Sequence, residues 1–302
     1  MPGTERHWRP GYPLDLARTL IPLRRGPADP AYRTGGDGSI WRASRTPDGP
    51  GTLRLTARAG EVAAKAWGPG ADWLLDRVPA LLGAEDDPSG LVLPQGPLRE
   101  AQRVHAGVRL GRTGLVLESL VPAILEQKVT TDEAYRAWRT LLRDFGTPAP
   151  GPAEGMRVAP SAREWARIPG WEWHRAGVDP KRSATVMRAV RLAPRLEEAS
   201  ALGHADALAR LTAVPGIGLW TAAETLQRSN GDPDAVSVGD YHLPNLVGWA
   251  LAGRPRSTDE QMLDLLAPYA GHRHRVCRLI ALTCPHAPRH GPRLAPNDHR
   301  RR

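Results

Sequence analysis

Residues 211–222 read LTAVPGIGLWTA, and this stretch decides the fold. The pattern predicts a helix that ends near Ala213, a tight turn over residues 215–218, and a second helix that begins near Leu219. Glycines in the turn allow positive φ and the close approach of another backbone. We therefore predict two helices joined by a glycine hairpin.

The start of the second helix has chemical consequences. Its first N–H groups have no acceptor within the helix, so the turn offers an anion site suited to a phosphate. Such a site would hold a nucleic acid by its backbone without reading bases. Taken alone, the same residues also fit an ordinary helical hairpin whose glycines only close the turn.

An aspartate follows the hairpin in the sequence. Residues 236–244 read VSVGDYHLP, and Asp240 lies twenty positions after Trp220, just before another predicted helix. An aspartate at a helix start is commonly a cap.

The composition narrows the class of protein. The chain has 302 residues, 41% hydrophobic and 24% charged, and no apolar run of the ~18 residues that cross a bilayer. Without a signal-like N-terminus, a cytoplasmic location is expected. The net charge of +9 permits an anionic partner, although the tail 286–302 alone carries five arginines against one aspartate.

Two folding patterns divide the chain. Residues 39–67 alternate with a period of two, between glycine and proline turns at 47–51 and 59–60, and predict an antiparallel meander flanked by helices. After the turn-rich segment 86–97 the period becomes helical. We predict a small α+β domain over residues 1–96, an all-α domain over 97–285, and a basic, disordered tail over 286–302.

The hairpin and its spaced aspartate resemble the helix-hairpin-helix superfamily of DNA glycosylases, and within it DNA-3-methyladenine glycosylase II. Residues 120–130, LVPAILEQKVT, look like the helix that opens the catalytic domain of that family. The N-terminal α+β segment is similar to its small TATA-binding-protein-like domain. The likeness covers most of residues 8–284, with the specific motifs in 120–130 and 211–245.

The resemblance implies an enzyme that flips a damaged base out of duplex DNA and cleaves its N-glycosidic bond. Asp240 matches the carboxylate that stabilises the positive charge on the sugar. Relatives that also cut the strand carry a Schiff-base lysine where this chain has Trp220, and no lysine follows position 181. A monofunctional, water-dependent glycosylase of alkylated purines is therefore expected.

The same resemblance assigns the other site residues. The substrate pocket is expected to include Trp220, Tyr241, Glu224, His272 and Gln127. The DNA-binding residues are expected to be Pro215, Gly216, Ile217, Gly218, Thr221 and Lys128. A monovalent cation is expected at the carbonyl groups of Thr212, Val214 and Ile217.

Two of these positions depart from the family pattern. Glu224 stands where another aromatic ring is expected, and Lys128 stands where an apolar residue fills the gap left by the flipped base. The stem of Lys128 could still fill that gap while its ammonium reaches a phosphate, or Lys128 could be an ordinary surface lysine. Because of these departures, a glycosylase for another, bulkier lesion is an alternative function.

No cofactor or structural metal is expected. The two cysteines, Cys277 and Cys284, cannot supply the four thiolates of the iron–sulfur cluster found in part of the superfamily. They and the neighbouring histidines lack the spacing of a zinc site. The expected partner is double-stranded DNA with damaged bases, bound by a monomer. A non-catalytic DNA-binding or lesion-sensing protein with the same fold is the alternative.

Overall fold

The computed structural model describes residues 3–283. The predicted basic tail, Cys284 and the last residue of the predicted second domain lie outside the described residues. No helix within residues 3–283 is both long and apolar enough to cross a bilayer.

The N-terminal part is built on an antiparallel sheet. Its strands are β1 Thr4–Trp8, β2 Tyr32–Thr34, β3 Ile40–Thr46, β4 Gly49–Arg58 and β5 Glu61–Trp67. They lie in the order β1-β5-β4-β3-β2, and every neighbouring pair is antiparallel. The predicted meander is confirmed as β3–β5. The sequence pattern missed the edge strands, because β1 is largely polar and β2 has three residues.

The two turns of the meander differ from each other. Ala59 and Gly60 both have positive φ, the conformation of the tight hairpin turn that matches strand twist. The other turn contains only Pro47 and Asp48, since Gly49 already belongs to β4. The predicted turn over residues 47–51 was therefore too long.

Helices make up most of the remaining structure. The helices are α1 Leu16–Leu20, α2 Ala71–Asp76, α3 Val78–Leu81, α4 Pro97–Val104, α5 Val116–Leu125, α6 Thr131–Phe145, α7 Ala162–Trp165, α8 Gly170–Arg175, α9 Pro180–Arg191, α10 Ala193–Glu197, α11 His204–Thr212, α12 Leu219–Ser229, α13 Leu243–Ala252, α14 Asp259–Leu266 and α15 Arg273–Thr283. Short 3₁₀ helices lie at Ile21–Leu23, Glu198–Ala201 and Ala267–Tyr269.

The second part is not entirely helical. Two short strands, β6 Thr147–Pro148 and β7 Arg157–Val158, pair antiparallel between α6 and α7, and β7 contacts β3 of the first sheet. The prediction of an all-α domain was wrong at this point. A pair of two-residue strands gives no alternating pattern that sequence analysis could detect.

Separate cores support the two parts. One lies between the sheet and α2, and includes Leu53, Leu55 and Leu74. The largest surrounds α5, whose residues are almost all buried and which packs against α9 and α12. This central helix therefore fixes the position of the hairpin that precedes α12.

A third core holds the end of the chain against the segment predicted as a linker. Leu91 and Leu93 are buried in it together with residues of α13, α14 and α15. The guanidinium of Arg275 also pairs with Asp86. This segment is packed rather than free, and the division of the chain at residue 96 stays a prediction.

Candidate active site and nucleic-acid interface

The hairpin has the predicted helix–turn–helix form. Helix α11 ends at Thr212, and the N–H of Ile217 donates to the carbonyl of Val214 at 3.0 Å to close the turn. Gly216 has φ +96°, where a side chain would be strained and would collide with Thr185 of α9. The second glycine of the turn, Gly218, does not use this freedom and has φ −94°. Nothing lies within 4 Å of the position its Cβ would take, so this glycine leaves open space at the surface.

Two side chains from other elements hold the carbonyl groups of the turn. The Nε of Arg188, on α9, donates to the Pro215 carbonyl at 2.8 Å. The Nε2 of Gln127, after α5, donates to the Gly216 carbonyl at 2.9 Å and to the Thr221 hydroxyl at 2.8 Å. The hairpin is thus braced from two directions.

This bracing orients the backbone N–H groups. In a planar trans peptide the N–H points opposite to the carbonyl, so fixing the Pro215 carbonyl on Arg188 turns the Gly216 N–H away from α9. Within residues 3–283, the N–H groups of Gly218, Leu219 and Trp220 have no hydrogen-bond acceptor. These donors, at the positive end of α12, can bind a phosphate.

Asp240 lies directly beside this helix start. Its Oδ2 accepts a hydrogen bond of 3.1 Å from Nε1 of Trp220, the second residue of α12. Its Oδ1 accepts from the backbone N–H groups of His242 and Leu243 at 2.7 and 2.8 Å. Asp240 thus accepts from the first N–H of α13, although the N-cap residue is His242. Its partly exposed carboxylate is held in one orientation next to the hairpin.

The loop that carries Asp240 is itself tethered. Gly239 has φ +90°, and its N–H donates to both carboxylate oxygens of Asp259 at 3.2 and 3.1 Å. The N–H of Asp240 donates to the Ser237 carbonyl at 3.2 Å. Hydrogen bonds with Trp220 of α12 and, through Gly239, with Asp259 of α14 thus restrict the position of the Asp240 carboxylate.

Glu224, predicted to line the pocket, is tied into a buried ion pair. Its side chain lies one helical turn beyond Trp220, is 15% exposed, and accepts from Arg228 at 2.7 Å and from Ser237 at 2.5 Å. Burial acts to raise the pKa of Glu224, but the positive charge of Arg228 and the hydrogen bonds outweigh it and leave the pKa lowered. Glu224 is therefore an anion with two protein partners.

Two histidines near the start of α15, His272 and His274, lie in different environments. His272 precedes α15 and accepts from Arg275 at 3.3 Å, and its ring borders Gly90. His274, buried on α15, is the histidine whose titration responds to the charge of Glu224. Burial, with the nearby positive charge of Arg278, lowers the pKa of His274 to about 3, so this ring is neutral at ordinary pH.

Other predicted site residues lie at the surface. Tyr241 is 78% exposed and makes an edge-to-face contact with His242. Lys128 is exposed in the loop between α5 and α6 and has φ +54°, a left-handed conformation that costs about 1–2 kcal/mol for a residue with a Cβ. Such strain at an exposed tip is typical of functional loops.

The three carbonyl groups expected to bind a cation, those of Thr212, Val214 and Ile217, lie at the end of α11 and in the turn that follows it. Thr212 ends α11, and the Val214 carbonyl already accepts the N–H of Ile217, so a cation would share this oxygen. Among residues 3–283 there is no group of three or more histidine, cysteine or acidic side chains that could hold a metal. Cys277 is a free, buried thiol.

Two small, partly open cavities lie away from the predicted site residues. Two cavities, of about 30 and 60 Å³, flank α5, and both are bordered by Glu118 and Trp138. None of the predicted site residues lines either of them. Volumes of this size accommodate a few water molecules rather than a nucleobase.

Several residues that shape the site were not predicted from the sequence. They are Arg188, Arg228, Ser237 and Asp259. Each acts through a contact with another segment of the chain or with the preceding turn of its own helix. No local motif marks such residues, since an arginine or serine on a helix has the same sequence signature whether or not it meets a partner.

The comparisons with known proteins agree with this architecture. No family model matches the chain. In two strains of Mycobacterium tuberculosis, a protein described as "Probable bifunctional transcriptional activator/DNA repair enzyme AlkA" is 30% identical over 244 residues, which are 76% of this chain and 46% of the relative. The chain thus spans about half the length of these curated relatives.

Similar structures extend over nearly the whole chain. The 3-methyladenine DNA-glycosylase of Archaeoglobus fulgidus matches with a TM-score of 0.75 and 15% identity, over 91% of this chain and 97% of that protein. The apo 8-oxoguanine glycosylase/lyase of Clostridium acetobutylicum matches with a TM-score of 0.73 and 11% identity, over 94% and 99%. The resemblance indicated by the hairpin and Asp240 is confirmed: the chain has the fold of the helix-hairpin-helix DNA glycosylase superfamily.

Proposed function

We propose that this protein is a monofunctional DNA glycosylase that releases alkylated purines from duplex DNA and acts as a monomer. The observation that carries this proposal is the hydrogen bond between Trp220 and Asp240, which places an oriented carboxylate at the start of the hairpin helix. The M. tuberculosis relative, named a DNA repair enzyme, and the A. fulgidus 3-methyladenine glycosylase support the same class of substrate.

The hairpin would hold the DNA strand. The free N–H groups of Gly218, Leu219 and Trp220 would bind a phosphate near the damaged nucleotide, and the absence of a side chain at Gly218 would let it approach. The fold also occurs in the C. acetobutylicum glycosylase/lyase in its complex with double-stranded DNA, which supports duplex DNA as the partner.

Asp240 would act on the sugar. As the base leaves, positive charge develops on the deoxyribose, and a fixed carboxylate beside it stabilises that charge. Three of the lone-pair positions of Asp240 are occupied by Trp220, His242 and Leu243, so the carboxylate needs no reorganisation during the reaction. The same carboxylate can orient or deprotonate the attacking water.

The hydrolytic outcome follows from the residue at the hairpin. A strand-cutting glycosylase needs an amine nucleophile, and this chain places an indole, Trp220, at the corresponding position. The chain contains only three lysines, Lys65, Lys128 and Lys181. The product would therefore be an intact abasic site and a free base.

The preferred lesion could differ from a simple methylated purine. Glu224 and Arg228 form a buried ion pair one and two helical turns beyond Trp220, where the family pattern has an aromatic ring. This observation favours, as second candidate, a glycosylase for a larger or more polar adduct. We also assign the N-terminal five-stranded sheet and its helices to a TATA-binding-protein-like domain.

Release of free bases from DNA tests this function. Genomic DNA treated with a methylating agent is incubated with the protein, and the released small molecules are identified by mass. We expect 3-methyladenine and related alkylated purines. Duplex binding without release of any base from alkylated or bulky-adduct DNA would instead support the non-catalytic alternative, a lesion-sensing protein with this fold.

A further inference from the structure

We propose that Gln127 is a positioning residue that couples the phosphate-binding hairpin to the loop that carries Lys128. This inference rests on the proposed function and concerns a step that the function does not specify. That step is how binding of the DNA backbone at the hairpin is connected to filling the gap that the flipped base leaves in the duplex. The loop is defined as residues 126–129, between α5 and α6.

Gln127 spans the two features directly. Its amide Nε2 donates to the Gly216 carbonyl of the turn at 2.9 Å and to the Thr221 hydroxyl of α12 at 2.8 Å. The two partners lie 89 and 94 residues away in sequence. Because the adjoining residue is Lys128, a displacement of the hairpin is transmitted to Lys128 through one peptide bond.

The rest of the loop is anchored on both sides. The guanidinium of Arg182 donates to the Leu125 carbonyl at 2.6 Å, and Glu126 pairs with Arg25 at 3.0 Å. After the loop, the Thr130 N–H donates to Glu133 in the capping box that starts α6. Lys128 is therefore the exposed, strained apex of a loop in which Glu126 and Gln127 are held and which ends at the capping box of α6.

This arrangement gives the amide a role beyond stability. Without it, the hairpin could still bind a phosphate and Lys128 could still reach DNA, but their separation would no longer be fixed. Misplacement of a group by about 1 Å can reduce a rate by up to about 10²-fold when the group must fit a defined geometry. We therefore infer that Gln127 affects base extrusion more than duplex affinity.

A double-mutant cycle tests the coupling. Gln127→Met keeps the length of the side chain and removes its donors, Lys128→Ala removes the apex side chain, and the double variant combines them. Single-turnover base release, the fluorescence of a 2-aminopurine placed next to the lesion, and the Kd for undamaged duplex are measured for each. Gln102→Met, on α4, is the matched control.

We expect Gln127→Met to slow base release and base extrusion about tenfold, which is within the range for the loss of two hydrogen bonds. The Kd for undamaged duplex should stay within threefold of wild type. In the Lys128→Ala background the same substitution should change the rate by less than twofold, because there is no longer a side chain to position. The control should behave as wild type.

Two other outcomes are distinguishable. If wild type releases bases and the two substitutions multiply their effects, Gln127 only stabilises the hairpin and the coupling is refuted. If Gln127→Met weakens duplex binding and base release by equal factors, its role lies in affinity, which also refutes the coupling. If wild type releases no base, the proposed function fails first, and the role of Gln127 fails with it.

Discussion

The indole N–H of Trp220 and the carboxylate of Asp240 lie 3.1 Å apart, although twenty residues separate them in sequence. This bond joins the hairpin that would hold the DNA backbone to the group that would act on the sugar. Trp220 is the second residue of α12, whose first N–H groups form the phosphate site. The start of this helix therefore sets the distance between the phosphate site and the carboxylate of Asp240.

Asp240→Asn is expected to reduce base release by about 10²–10³-fold while duplex affinity stays within a few-fold, since the amide keeps the size of the side chain but loses its charge. Single-turnover kinetics and fluorescence anisotropy measure the two quantities. Trp220→Phe is the comparison for orientation, because it removes the hydrogen bond to Asp240 and part of the ring but leaves the carboxylate charge in place. Near wild-type turnover of Asp240→Asn would show that another residue stabilises the charge on the sugar.

Gly218→Val should weaken DNA binding without unfolding the hairpin, because Gly218 has φ −94° and open space at its Cβ position. The valine would block the approach of phosphate oxygens to the N–H groups. Gly216→Val is a poorer test, since Gly216 has positive φ and would collide with Thr185. A folded Gly218→Val variant with unchanged affinity would show that the hairpin only closes a turn.

Arg188→Ala should lower duplex affinity and reduce the slope of log K against log salt by about one, because this guanidinium is fixed at the Pro215 carbonyl and can neutralise a phosphate. Binding titrations at several salt concentrations give the slope. Arg99→Ala, an exposed arginine on α4, serves as the matched loss of charge. Equal slopes for the two variants would show that Arg188 does not contact a DNA phosphate.

Incubation with lesion-bearing duplex and borohydride should give free base, an unbroken strand until alkali is added, and no covalent protein–DNA product. The reason is that Trp220 replaces the amine that would form an imine. Gel electrophoresis under denaturing conditions detects both strand and adduct. A trapped adduct that disappears in Lys128→Ala would make Lys128 a nucleophile and overturn the monofunctional assignment.

Acid should destabilise the protein through His274. Its pKa is about 3 in the folded state against 6.5 in the unfolded state, so the unfolded state binds more protons between these values. Stability should therefore fall as the pH decreases from 6.5 towards 3, by up to about 1.4 kcal/mol per pH unit from this group.

Denaturant unfolding at pH 7 and pH 5 measures this effect. His274→Gln should lose less stability than wild type between the two pH values, whereas the same change at the exposed His174 should leave the difference as in wild type. Identical pH dependence in wild type and His274→Gln would mean that His274 takes up its proton without unfolding.

The sequence by itself determined the local parts of this protein. The hairpin, the helix after Asp240 and the meander of β3–β5 were all predicted, because turn chemistry, helix caps and hydrophobic period depend on neighbouring residues. The superfamily resemblance came from the same short motifs. The edge strands β1 and β2 and the pair β6–β7 escaped prediction, since short or polar strands carry little periodic signal.

Only the tertiary structure decided the contacts between distant segments. It brought Gln127 and Arg188 to the carbonyls of the turn, gave Glu224 an arginine partner, and buried His274 on α15. These contacts depend on how α5, α9 and α12 pack around one core and on how α15 packs with α13 and α14 in another. One-dimensional patterns record which face of a helix is buried, but not which side chain of another helix it meets.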